Sequence, residues 1–133
     1  MDTNIVIALF AKFIRDTEIM DMASAVIKSN YSEVLHSFGK DLQSAVDTAL
    51  QKYLIDLIIS KIAEMRKREL LFEAKYKFDY TSFSHRITED EDFAVYTENN
   101  VNKMWEIDLA EWEFCHKGID DWTKKLHNIL LMS

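Results

Sequence analysis

Proline is absent from this chain of 133 residues, and glycine occurs only at Gly39 and Gly118. These two residue types interrupt helices most strongly, at a cost of about 3 and about 1 kcal/mol relative to alanine. A chain that almost lacks both can continue helices over long stretches. Its length and its apolar fraction of 48% are typical of a globular protein with one core. The sequence therefore predicts an all-α fold in a single domain, 1–133.

Apolar side chains recur at spacings of three and four residues, which predicts helices at about 3–28, 31–38, 41–77 and 108–131. Gly39 is placed to end the second helix in a left-handed conformation, and Asp41 is placed to cap the third. A helix of roughly 36 residues is about 54 Å long, whereas a domain of this size has a radius of gyration of about 14 Å. The third helix must therefore bend, or project and pack on another chain, so self-association through it is expected.

The segment between the third and the last predicted helix changes character. Residues 81–87 can form one or two helical turns, and four consecutive acidic residues, 89–92, follow them. Adjacent like charges repel one another, and no second strand is available to pair with 93–96. The sequence therefore predicts an extended acidic connector over 88–106, within a helical bundle that has one long central helix and a closing C-terminal helix.

The net charge of −7 arises entirely from residues 78–133, which contain 12 Asp and Glu against 5 Lys and Arg. The rings concentrate there too, because 11 of the 16 Phe, Trp and Tyr lie between Phe72 and Trp122. An acidic surface disfavours direct binding to nucleic acid or to anionic membranes. We therefore expect a charge-neutral helical body, 1–77, and an acidic aromatic arm, 78–133, that binds a basic protein partner.

The basic run 66–68 is the one candidate for a positive patch. Glu64, Glu69 and Glu73 surround it at the spacings of ion pairs along a helix. This pattern favours a solvated ionic face over a nucleic-acid site.

Aromatic residues inside a charged rim are the usual energetic centres of protein interfaces. On that basis, the predicted partner-binding residues of the arm are Tyr80, Phe83, Glu89, Asp90, Glu91, Asp92, Phe93, Tyr96 and Trp105. The alternative is that rings of this region, such as Phe72, Tyr76 and Phe83, fold onto the helical body as core. One sequence does not separate core rings from interface rings, so both interpretations stay open.

The last predicted helix carries apolar residues spaced 3-4-3-4-3, which is typical of a seam that packs on another helix. The seam residues are Trp112, Cys115, Ile119, Trp122, Leu126 and Ile129. Cys115 is the only cysteine, so it is interpreted as a buried structural thiol, and no internal disulfide is possible. With neither a signal peptide nor a transmembrane stretch visible, the sequence predicts a cytoplasmic protein.

Two Glu-x-x-His units are the pattern closest to a metal motif. They are Glu33 with His36, and Glu113 with His116. Di-iron bundles use two such pairs together with a Glu from each of two other helices, so a ferritin-like metal protein is one alternative. With 11 Glu in the chain, chance explains the spacing better. No glycine-rich phosphate loop or catalytic motif is present, so the sequence predicts no cofactor and no enzyme.

Three stretches resemble small prokaryotic antitoxins that are encoded beside a toxin. They are 44–53 (SAVDTALQKY), 74–83 (AKYKFDYTSF) and, after the acidic run, 110–113 (AEWE), so the resemblance covers about 44–131. It implies that the C-terminal half wraps a toxin and blocks its active site. A DNA-binding segment of such a protein would be basic, whereas residues 1–40 are not.

Three functional hypotheses follow. The first is a non-enzymatic binding protein, antitoxin-like, that neutralises or adapts a basic protein such as a ribonuclease-type toxin. The second is a phage-type inhibitor whose carboxylates mimic nucleic acid against a host nuclease or defence complex. The third is the ferritin-like di-metal protein.

Overall fold

The computed structural model describes residues 23–39 and 41–131. Within them the secondary structure is entirely helical, which confirms the all-α prediction. The helices are α1 (Ser29–His36), α2 (Leu42–Tyr76), α3 (Tyr80–Glu89), α4 (Glu91–Asn100) and α5 (Trp105–Leu131). The chain divides into two compact units, the first ending at Ala45 and the second beginning at Val46. None of the helices in this part of the chain is long and apolar enough to span a membrane.

In the first unit, α1 begins two residues before the predicted start, and Gly39 follows it. Gly39 has φ +76°, and its N–H donates to the carbonyl of His36 at 3.1 Å, so the predicted left-handed position is confirmed. The predicted helix 3–28 lies mostly outside the described residues. Its final part, 23–28, is not helical. Val26 there is fully exposed, so burial of its side chain does not stabilise a helix at this point.

The start of α2 follows the predicted capping pattern. The Asp41 carboxylate accepts hydrogen bonds from the backbone N–H of Ser44 at 2.9 Å and from its hydroxyl at 2.8 Å. These bonds hold the pKa of Asp41 below its usual value. The helix then continues for 35 residues to Tyr76, and Lys77 ends it in a left-handed conformation with φ +65°.

The predicted extended connector over 88–106 is wrong, because most of this segment is helical. Asp90 ends α3, and its carboxylate accepts a hydrogen bond from the N–H of Phe93 at 3.1 Å, so it also caps α4. Glu91 and Asp92 occupy the first turn of α4, where the positive end of the helix dipole favours negative charge. Capping and the dipole thus offset the repulsion within the acidic run.

The core of the second unit lies where α2, α3 and α5 meet. Its buried members are Tyr76, Phe83, Ile87 and Trp112, and partly buried rings of all these helices and of α4 pack around them. The Trp112 ring is stacked on Phe72 at 5.6 Å and on Phe83 at 5.4 Å between centroids. The core interpretation of Phe72, Tyr76 and Phe83 is therefore confirmed, and the acidic arm shares one core with α2.

The helix α5 runs antiparallel to α2, because Trp112 contacts Phe72 while Gly118 faces Met65. It begins three residues before the predicted start and ends at Leu131. The predicted seam faces inward: Trp112 and Cys115 are fully buried. The other seam residues, Ile119, Trp122, Leu126 and Ile129, are half-buried.

Candidate partner-binding surface

The helix α4 has a core-facing side and a solvent-facing side. Phe93 and Ala94 pack on the aromatic core, and Thr97 is buried. The opposite side is formed by Glu91, Asp92, Val95, Tyr96 and Glu98, all exposed, and we call it the α4 outer face. Val95 and Tyr96 are 51% and 57% exposed. Two large apolar side chains are thus displayed among three carboxylates on about two turns of helix.

Half of the twelve acids in 78–133 are used inside the fold. They cap helices, or they bond to Tyr76 or to basic side chains: Asp79, Asp90, Asp108, Glu111, Glu113 and Asp120. In the part of the chain that the structure describes, the other six carboxylates have no ion pair or hydrogen bond: Glu89, Glu91, Asp92, Glu98, Glu106 and Asp121. Four of these six are close together: Glu89 is the last residue of α3, and the other three, Glu91, Asp92 and Glu98, belong to α4. The uncompensated negative charge is therefore concentrated at and beside the α4 outer face.

A groove of about 450 Å³ lies along one edge of the α4 outer face. It is lined by Arg86, Asp90, Asp92, Phe93 and Tyr96. The Arg86 guanidinium lies 4.5 Å from the centroid of the Phe93 ring, a cation–π contact. No ion pair joins Arg86 to Asp90 or Asp92 in the described residues. The guanidinium contacts the Phe93 ring instead, and the Asp92 carboxylate remains available to a partner.

The predicted partner-binding residues divide into three groups. Tyr96 and the carboxylates of Glu89, Glu91 and Asp92 are exposed, as a contact surface requires. Phe83 is 1% exposed, so its assignment to the surface is wrong, because the burial of its ring stabilises the core. The remaining residues are half-buried and serve the fold: Tyr80, Phe93 and Trp105 pack against the core, and Asp90 caps α4.

A second cluster of charged residues joins α2 to α5. The buried carboxylate of Glu69, 4% exposed, accepts a hydrogen bond from Arg66 Nη1 at 2.6 Å and lies 2.7 Å from His116 Nδ1. The His116 ring stacks on Tyr80 with centroids 4.5 Å apart. These residues, apart from Tyr80, border a groove of about 640 Å³. The expected ion pair of Arg66 with Glu69 is present within α2, and the contact of Glu69 with His116 joins it to α5.

The basic run has a further contact that the sequence does not reveal. Arg68 is ion-paired with Glu111 on α5, and this hydrogen bond raises the pKa of its guanidinium. Short-range spacing in the sequence predicts neither this pair nor the pair of Glu69 with His116. The partners are 43 and 47 residues apart in the chain.

The two Glu-x-x-His units do not form a common site in the described residues. Glu33 and His36 belong to the first compact unit, and Glu113 and His116 belong to the second. Glu113 is ion-paired with Lys117, while His116 contacts Glu69. Across 23–39 and 41–131, no three His, Cys, Asp or Glu side chains lie close enough together to hold a metal ion.

A polar network fixes the start of α5 against the end of α2. Asp108 Oδ2 accepts hydrogen bonds from the Tyr76 hydroxyl at 2.6 Å, from Lys75 at 2.7 Å and from Asn102 at 2.9 Å. Burial, followed by the bond to Asp108, raises the pKa of Tyr76 to about 12. The pKa of Asp108 is lowered, since the hydrogen bonds from Lys75 and Tyr76 outweigh its partial burial. This network holds the α4–α5 loop, through Asn102, on the core.

Comparisons of this chain with protein-family models, with curated proteins and with solved structures returned no significant match.

Proposed function

We propose that this protein is a non-enzymatic binding module whose α4 outer face binds a basic surface of a partner protein, in the manner of an antitoxin. The observation that carries the proposal is the exposure of Val95 and Tyr96 among carboxylates that have no counterion in the described part of the chain. Lys and Arg of a partner would supply the missing counterions. The lone reduced cysteine is in keeping with action in the cytoplasm.

Tyrosine suits this role because its ring offers a large contact area and its hydroxyl a hydrogen bond. Truncation of a central interface tyrosine commonly costs about 2 kcal/mol or more of binding free energy. Unpaired carboxylates around it mainly raise the association rate with a basic partner, and this effect weakens with salt. The proposal therefore assigns affinity to Tyr96 and Val95, and steering to Glu91, Asp92 and Glu98.

The test is affinity capture from a lysate of the source cells with the full chain as bait, followed by mass spectrometry. We expect the wild type to capture a basic protein, more strongly at low salt, and Tyr96→Ala to reduce its capture at least tenfold. Phe114→Ala is the matched control, because Phe114 is a comparably exposed ring, 62% exposed, on α5. Equal capture of that protein by Tyr96→Ala and by wild type would refute the assignment to the α4 outer face.

The nucleic-acid mimic is the second candidate, and the concentration of unpaired acids near α4 favours it. Replacing Glu89, Glu91 and Asp92 together by amides separates the two functions. A mimic depends on charge and would lose its inhibitory binding altogether, whereas a surface anchored by Tyr96 would mainly bind more slowly. Asp90 is left unchanged because it caps α4.

Self-association through α2 is a further part of the proposal. Its support is a row of large apolar side chains that α2 leaves exposed over residues 50–57.

A further inference from the structure

One side of α2 is covered, and another is not. Ile58 and Met65 are 5% and 3% exposed on the covered side, where Met65 lies against Gly118 of α5. Leu50, Tyr53, Leu54 and Leu57, at 51%, 60%, 41% and 49% exposed, form a row that we call the α2 stripe. Their spacing of three and four residues places them on one face of the helix. A contiguous apolar row of this kind is typical of an interaction surface.

Three residues of the α2 stripe fit the a-d-a positions of one coiled-coil heptad. With Leu50 and Leu57 at a positions and Tyr53 at d, Asp56 falls at g and Lys61 at e. Asp56 has no ion pair in the described residues. Lys61 has only a long one, 3.9 Å to Glu64. The stripe is therefore flanked by one negative and one positive side chain.

These flanking charges select the partner and its direction. In a parallel pair of α2 helices, the g residue of one copy lies beside the following e residue of the other. Asp56 of the first copy then meets Lys61 of the second copy. Lys61 of the first copy likewise meets Asp56 of the second copy on the other side of the seam. In an antiparallel pair, g positions face g positions and e positions face e positions, so Asp56 would not meet Lys61 of the other copy.

We infer that the α2 stripe pairs with the same stripe of a second copy of this chain, in parallel and in register, with Asp56 and Lys61 forming reciprocal ion pairs. The inference rests on the self-association proposed above and gives it residues and an orientation. Leu50, Tyr53 and Leu57 of the two copies would meet along the seam, and Leu54 would widen the apolar contact at its edge.

The first experiment measures the oligomeric state of the full chain by sedimentation velocity over a range of concentrations. We expect a dimer, and we expect Leu57→Asp to raise its dissociation constant at least tenfold. Ile59→Asp is the control, because Ile59 is 51% exposed on the same helix but lies at a c position, away from the seam. Circular dichroism checks that both variants remain helical. A monomeric wild type, or a dimer that only Ile59→Asp dissociates, overturns the inference.

The second experiment tests the orientation by exchanging charges. Asp56→Lys and Lys61→Asp should each raise the dissociation constant about threefold or more, and the double exchange should restore it. If both single variants weaken the dimer but the double exchange does not restore it, the parallel register is overturned while self-association stands. Tyr96→Ala should remain dimeric, so failure of the dimer and failure of partner binding at the α4 outer face are distinguishable.

Discussion

Met65 Sδ lies 2.7 Å from the position that a Cβ atom on Gly118 would occupy, so α2 and α5 approach each other at this point. Glycine inside α5 costs helix stability, and the close approach is the reason for it.

We expect Gly118→Ala to gain less stability than helix propensity alone would give. The gain of about 1 kcal/mol in helix propensity is opposed by an overpacking cost that is typically about 1–3 kcal/mol. The atoms in the way are Met65 Sδ and Cε, the flexible end of a buried side chain, so their movement reduces this cost. Urea denaturation measures the difference. In a Met65→Ala background, Gly118→Ala should be stabilising, and an equal effect in both backgrounds would contradict the steric explanation.

Glu69 and Glu73 both bond to Arg66, but their burial differs. The Glu69 side chain is 5% exposed and also contacts His116, whereas that of Glu73 is 25% exposed. We expect Glu69→Gln to destabilise the fold by about 1–2 kcal/mol, because the buried side chain loses the negative charge that binds Arg66 and His116, and an amide oxygen is a weaker acceptor. Glu73→Gln should cost less than about 1 kcal/mol. Thermal unfolding of the two variants tests the ranking, which would be disproved by equal losses.

The hydroxyl of Tyr76 should make stability depend on alkaline pH. Its pKa is raised to about 12 in the folded chain from about 10 in the unfolded chain. The folded state thus binds this proton more tightly, so the stabilisation is complete below pH 10 and is lost as the pH rises through 12. Absorbance titration of tyrosinate should show one late-ionising group, and Tyr76→Phe should remove it. A wild-type titration without that late step would contradict the network with Asp108.

Thr97 is 1% exposed, and its hydroxyl has no hydrogen-bond partner in the described structure. Valine has nearly the same shape without the polar atom, so Thr97→Val should stabilise the fold by about 1 kcal/mol. Thr88→Val is the matched control: the Thr88 hydroxyl is exposed and donates to the carbonyl of Ser84 at 2.7 Å. Denaturation midpoints of the two variants should shift in opposite directions, or only that of Thr97→Val should rise.

Local signals in the sequence correctly predicted where several helices start and end. The Asp41 cap and the left-handed Gly39 both follow from rules that act over a few residues. The signal missed over 88–106 is also local. Asp90 and the two acids after it form an ordinary helix start. The run of like charges concealed that start.

The candidate surface was only partly visible in the sequence. Exposure of Tyr96 and burial of Phe83 both depend on which side of each helix packs on the aromatic core, and that side is chosen by contacts far along the chain. The pair of Glu69 and His116 likewise depends on the antiparallel register of α2 and α5. Tertiary register of this kind leaves no trace in local spacing.

The junction at Asp90 has a consequence for how the α4 outer face meets a partner. A single residue, with φ −119° and ψ 99°, serves as both the C-cap of α3 and the N-cap of α4. On the proposed function, a face joined to its core this directly is ordered before binding, so association does not spend free energy on ordering it. The short junction also makes the orientation of α4 sensitive to insertions. One residue inserted after Asp90 would rotate α4 by about 100° and turn Tyr96 away from its present side.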